Sequence, residues 1–218
     1  MSKLIRSLVA VIMVISISAC ETVVLDTLER VGIPKRDVLV NRVEKARDSQ
    51  TDAQEQFASA LDEFASVVKL QQTDLKTAYE TLNDEYEDSK DAADEVSDRI
   101  DKVESVSKAL FKEWAAEIEE YQDAPALKRS SAEKKAATER RYEALMSTMR
   151  RAEASMDPVL KSFRNNVLYL KHNLNAQAIG ALRSEFAGLE SDIATLIADM
   201  NRSIADSDQF IRELDAGG

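Results

Sequence analysis

From Asp37 almost to the end of this chain, apolar residues recur at alternating spacings of three and four, and only three short stretches interrupt them. A period near 3.5 sustained that long keeps one seam facing its neighbours turn after turn, which is how long helices pack as a left-handed coiled coil. Composition agrees by exclusion. Five Gly and three Pro among 218 residues cannot supply the turns of an all-β sandwich or barrel. A single Cys excludes a disulfide framework and a thiolate zinc site. Asp and Glu number 40 against 29 Lys and Arg, a net charge of −11. Nucleic acid is therefore not an expected partner, because phosphate binding needs clustered cations.

The periodicity predicts four helices, at about 37–69, 74–122, 129–174 and 177–214. The first carries Val43, Ala46, Phe57, Leu61, Phe64 and Val68. The second carries Leu82, Tyr86, Ala93, Val96, Ile100, Val103, Leu110, Trp114 and Tyr121. The third carries Leu145, Met149, Ala152, Met156, Phe163, Val167, Leu170 and Leu174. The fourth carries Leu182, Phe186, Leu189, Ile193, Leu196, Met200, Ile204 and Ile211. The breaks at Gln71-Gln72-Thr73, Asp123-Ala124-Pro125 and Asn173–Ala176 are short, so consecutive helices run antiparallel. Asn175 is the expected cap of the last break. Pro158 lies on the seam of helix three and is read as a kink inside the helix.

Antiparallel partners have residue numbers with a constant sum, which turns the pattern into a register. Helices one and two match at 143 (Phe64 with Tyr79), two and three at 252 (Ser89 with Phe163), three and four at 352 (Phe163 with Leu189). These registers put helices one and four at the same end of the long central pair. The expected fold is all-α: four helices at one end and a two-helix hairpin, about 111–141, projecting alone at the other. Its long helices span about 70–75 Å at 1.5 Å per residue.

The N-terminus reads as an address. Lys3 and Arg6 precede the apolar run Leu8 to Ile17, and Ile17-Ser18-Ala19-Cys20 follows. A basic start, an apolar core of about 7–15 residues and small residues before a cut form a secretory signal. The run falls short of the roughly 20 apolar residues of a spanning helix. The only Cys stands directly after the small pair, and the string resembles the lipobox of bacterial lipoproteins. That resemblance implies removal of residues 1–19 and acylation of Cys20, with residues 20–36 as a tether. Glu21 in the next position favours the outer membrane over inner-membrane retention. Three acyl chains would hold stably where one holds only marginally.

Catalytic constellations are missing from the pattern. The only His is His172, no Glu-x-x-His occurs, and no Gly-rich phosphate loop with Lys-Ser/Thr is present. No enzymatic activity, cofactor or metal is expected. Two stretches stand out as candidate partner contacts. At the hairpin tip an acidic arm (Glu113, Glu117, Glu119, Glu120, Asp123) faces a basic one (Lys128, Arg129, Lys134, Lys135, Arg140, Arg141). The register of 252 pairs Glu117 with Lys135 and sets Asp123 near Arg129. Trp114, Tyr121, Arg129 and Lys134 are the candidate anchors there, since aromatic and Arg side chains dominate binding hot spots. At the other end the polar string Lys171-His172-Asn173, with Asn175 and Gln177, either caps two helices or binds a partner.

Val31-Gly32-Ile33-Pro34-Lys35-Arg36-Asp37 with Asp48-Ser49-Gln50, Leu82-Asn83-Asp84-Glu85-Tyr86, and Leu170 to Ile179 resemble an uncharacterised proteobacterial lipoprotein family, domain of unknown function number 2959. The resemblance covers nearly the whole mature chain and implies no activity. The expected role is a lipid-anchored, periplasm-facing scaffold or adaptor of the Gram-negative envelope, partnered by the membrane and an envelope protein. The alternative is a binding module for a small envelope ligand in the bundle core.

Overall fold

A computed structural model of the chain describes residues 34–69, 75–174 and 176–216. Its helices are α1 (Lys35–Lys69), α2 (Leu75–Glu120), α3 (Pro125–His172) and α4 (Ala176–Ala216). Among the described residues there is no strand. The four long helices pack as an antiparallel all-α bundle. Cys20, the Gln71-Gln72-Thr73 break and Asn175 lie outside the described residues.

The helix ends follow local chemistry. Pro34 starts α1: its carbonyl accepts from the N–H groups of Asp37 and Val38 at 3.0 and 3.2 Å. Pro125 is the first residue of α3, four residues before the expected start. Proline's fixed φ suits that position, where its missing N–H costs nothing, and the Ala124 carbonyl accepts from Lys128 N–H at 3.0 Å. Asp123 turns the chain with a φ of 56°, a left-handed conformation that Asp tolerates better than most residues. Asn173 closes α3. Its backbone N–H donates to the Leu170 carbonyl at 3.1 Å and its side-chain amide to the Tyr169 carbonyl at 2.8 Å. Pro158 lies within α3, which is continuous through it.

Polar contacts between helices test the registers. Gln56 Nε2 donates to Glu85 Oε2 at 2.8 Å, a sum of 141. Ser97 donates to Glu153 at 2.6 Å, and Arg150 pairs with Asp101 at 2.6 Å, sums of 250 and 251. Arg141 pairs with Glu213 at 2.9 Å and Arg151 with Asp199 at 3.8 Å, sums of 354 and 350. All five lie within two of the expected values. Helix α1 also meets α4. Arg47 pairs with Asp208 at 2.9 Å, and two N–H groups of Arg183 donate to the Val68 carbonyl at 3.1 and 2.7 Å. That carbonyl belongs to the last turn of α1, where no intrahelical donor remains.

The described chain forms two compact units, residues 43–101 with 141–216 and residues 34–42 with Lys102–Arg140. The first contains an aromatic layer drawn from all four helices. Phe64 lies edge-on to Phe163 (centroids 6.0 Å) and stacks on Phe186 (5.9 Å), and Tyr86 lies edge-on to Phe163 (6.2 Å). Edge and offset arrangements suit the ring quadrupole and add about 0.5–1.5 kcal/mol per pair to area burial. Leu82, Val96, Ile100, Met149, Ala152, Leu170, Leu182, Leu196 and Met200 of the same unit are fully buried along the seams. The seam also buries polar residues. Gln50, Ser89, Ser203 and Ser207 have no exposed surface. Ser207 Oγ donates to the Ser203 carbonyl at 2.8 Å. The amide oxygen and nitrogen of Gln50 and the hydroxyls of Ser89 and Ser203 have no hydrogen-bond partner in the protein. Burial pushes the Glu85 carboxyl above the usual carboxylate range. The Gln56 hydrogen bond pulls it back, and Asp88, Glu63 and Asp84 push it further up.

In the second unit, Lys35 Nζ stands 2.8 Å from Glu113 Oε2. This corrects the expectation that α2 and α3 leave all company by Phe111. Helix α1 begins at Lys35, two residues earlier than expected. A helical Lys stem also leans toward the N-terminus of its own helix, which here is toward higher numbers on antiparallel α2.

Candidate functional site

The α2–α3 turn and the residues near it hold four of the candidate contacts. Trp114 is half-buried, and its indole N–H donates to Ser131 Oγ at 2.9 Å. Phe111 and Ile118 are buried, and Lys135 Nζ lies over the Phe111 ring, 5.8 Å from its centroid. Arg129 and Lys134 are exposed. Tyr121 is 41 % and Leu127 60 % exposed. Tyr121 was expected to extend the apolar stripe of the second helix. That helix ends at Glu120, so no facing turn remains to cover Tyr121.

The expected ion pairs of this turn do not form. Lys135 pairs with Glu139 in its own helix at 2.5 Å, and Lys128 pairs with Glu119 at 2.7 Å. The turn is centred near residues 122–123, so facing residues beside it sum to about 245 rather than 252. Trp114 with Ser131 gives 245 and Glu119 with Lys128 gives 247. The loop sets the register at its own end, and the packed seam sets it further down. Surface pairs of this kind contribute about 0–1 kcal/mol each. Trp114 is thus a structural tie between the arms, while Tyr121 and Leu127 present apolar surface to the outside. Leu127 was missed because no seam contains it. Its signal is an isolated Leu in a polar turn.

The α3–α4 turn places Lys171 and His172 in exposed positions, Gln177 exposed, and Asn173 half-buried. Asn173 is occupied with the carbonyls of its own helix, as a capping role requires. Leu174 was expected on the third seam. It lies two residues beyond the end of α3 and is 49 % exposed, and Leu168 and Tyr169 are exposed as well. Among the described residues no group of three or more His, Cys, Asp or Glu could hold a metal ion, and no helix is long and apolar enough to cross a membrane.

Residues 25–214 match the family described as protein of unknown function (DUF2959), and the chain belongs to it. No curated protein and no solved structure matches the chain.

Proposed function

We propose that this DUF2959 protein is a lipid-anchored scaffold or adaptor of the Gram-negative cell envelope. It is held at the periplasmic face of the outer membrane and has no catalytic activity of its own. The observation that carries this reading is Cys20, the only thiol of the chain, placed directly after Ile17-Ser18-Ala19 and a basic-apolar leader. The body supports it. Four long helices spend their apolar residues on one another, and the large exposed apolar side chains, Tyr121, Leu127, Leu168, Tyr169 and Leu174, lie near two turns, where an envelope protein could be met.

The test is Cys20→Ser in cells. Radiolabelled fatty acid incorporation and sedimentation with membranes are both lost if the anchor is right, and retained labelling refutes it. Photocrosslinkers at 129 and 177 then look for a protein partner. Capture at neither position removes the adaptor role.

A second reading, a module that binds a small envelope ligand in the bundle core, is favoured by one observation: both amide atoms of buried Gln50 lack a partner. Native mass spectrometry of protein purified from its own envelope would show bound mass, reduced in Gln50→Met.

A further inference from the structure

We infer that the α2–α3 turn touches the bilayer, seating Tyr121 and Leu127 among phospholipid headgroups. This deepens the anchored reading above and rests on it. The geometry begins at Lys35, whose ion pair with Glu113 fixes where α1 starts along α2. From that level α2 has seven more residues to its end at Glu120, about 10 Å at 1.5 Å per residue.

The chain between Cys20 and Lys35 is 15 residues, at most about 50–54 Å when fully stretched. An acylated Cys20 therefore reaches past the α2–α3 turn with chain to spare.

The chemistry of the turn fits that position. Tyr121 and Leu127 are exposed apolar side chains flanked by Lys128 and Arg129, whose stems can lie along apolar surface while their charges stay at headgroup level. Exposed Glu120 and Asp123, with Glu119 already paired to Lys128, leave the turn without net positive charge. The contact is thus apolar and interfacial, held by the anchor rather than by attraction to anionic lipid.

The test uses the chain from Cys20 to Gly218, coupled through its only thiol to a maleimide phospholipid in vesicles of phosphatidylethanolamine and phosphatidylglycerol. The native Trp is removed by Trp114→Phe. A single Trp is then introduced by Leu127→Trp or by Leu174→Trp, both at exposed positions. An interfacial side chain sits about 5–10 Å into the headgroup and acyl boundary. Lipid brominated high on its acyl chains should therefore quench Trp at 127 roughly twofold or more and leave Trp at 174 unchanged, at low and high salt alike. Quenching at 174 instead, or at neither position in vesicle-bound protein, overturns the inference and leaves the anchor standing. Quenching at 127 that salt abolishes overturns the apolar contact, and so does a protein crosslinked at 127 without lipid quenching. Absence of fatty acid on the wild-type protein in cells refutes the anchor, and with it this orientation.

Discussion

Gln50→Met should make this protein more stable. Gln50 lies in α1 with no exposed surface, between the equally buried Ala46 and Ala53, and neither atom of its amide has a hydrogen-bond partner in the protein. A buried polar group without a partner costs about 1–3 kcal/mol. The amide contains two such atoms, and they share one side chain, so the total is about 2–4 kcal/mol. Met has nearly the same length and shape, fills irregular gaps and brings no hydrogen-bonding demand. The substitution removes the penalty without opening a cavity. For a chain of this size, each kcal/mol moves the melting temperature by about 2–4 °C, so a rise of roughly 4–16 °C is expected. Thermal melts followed by circular dichroism would read it. Urea unfolding should show a higher midpoint with an unchanged slope. Gln50→Glu is the opposite probe and should destabilise the protein by more than the amide does, because a charge replaces a neutral group at the same site. A lower or unchanged stability of Gln50→Met would refute the reasoning, since it would mean the amide is satisfied in solution by something the fold holds there. A gain in stability accompanied by mixed oligomers would instead assign Gln50 a second role, fixing the register of the seam as polar seam residues do in coiled coils.

Other substitutions probe the same physics elsewhere. Gly188 and Gly180 lie inside α4, and a Cβ on either meets nothing within 4 Å. Gly188→Ala and Gly180→Ala should each add about 0.5–1 kcal/mol, read as a higher urea midpoint. Lys35→Ala should cost about 1–2 kcal/mol by removing the stem and charge that meet Glu113. Slower exchange of backbone amides at residues 35–42 in the variant than in the wild type would contradict this. Glu85 is held above its ordinary carboxylate range by burial, so the folded state binds its proton more tightly than the unfolded one. Its penalty is present at neutral pH and is lifted as the pH falls through the raised value toward the unfolded one. Glu85→Gln should therefore match or exceed wild type in melting temperature at pH 7, with the difference shrinking by pH 4. A difference that widens on acidification would show the sign to be wrong.

Much of the bundle was legible in the residue pattern. Heptad spacing placed Phe64, Met149, Ala152, Phe163 and Met200 in the core, and constant sums anticipated the five polar contacts between helices of the first unit to within two residues, but not Lys35 with Glu113 or the contacts beside the α2–α3 turn. Buried polar residues could have been found the same way. Gln50 stands seven residues from both Val43 and Phe57, Ser203 seven after Leu196, and Ser207 seven after Met200. Their polarity hid them, although position on the seam outweighs polarity when a neighbouring helix covers it. Tyr121 and Leu174 failed in the opposite sense. Both continue a stripe past the residue where the helix ends, and a stripe without a facing turn buries nothing.

Helix existence, direction and approximate register follow from local periodicity and short breaks, because an apolar seam leaves a helix few ways to escape water. The lipobox-like string Ile17-Ser18-Ala19-Cys20 is likewise linear information, read along the chain. The meeting of α1 with α4 is not linear. Arg47 with Asp208 and Arg183 with the Val68 carbonyl join residues more than a hundred positions apart, and no periodicity encodes which two outer helices close the ring. The ion pairs at the α2–α3 turn depend on the exact loop geometry set by Asp123 and Pro125, and Lys35 found Glu113 only because α1 begins at Lys35. A sequence period says which face of a helix is covered. Packing in three dimensions chooses the neighbour that covers it and the side chains left outside, Tyr121 and Leu127 among them.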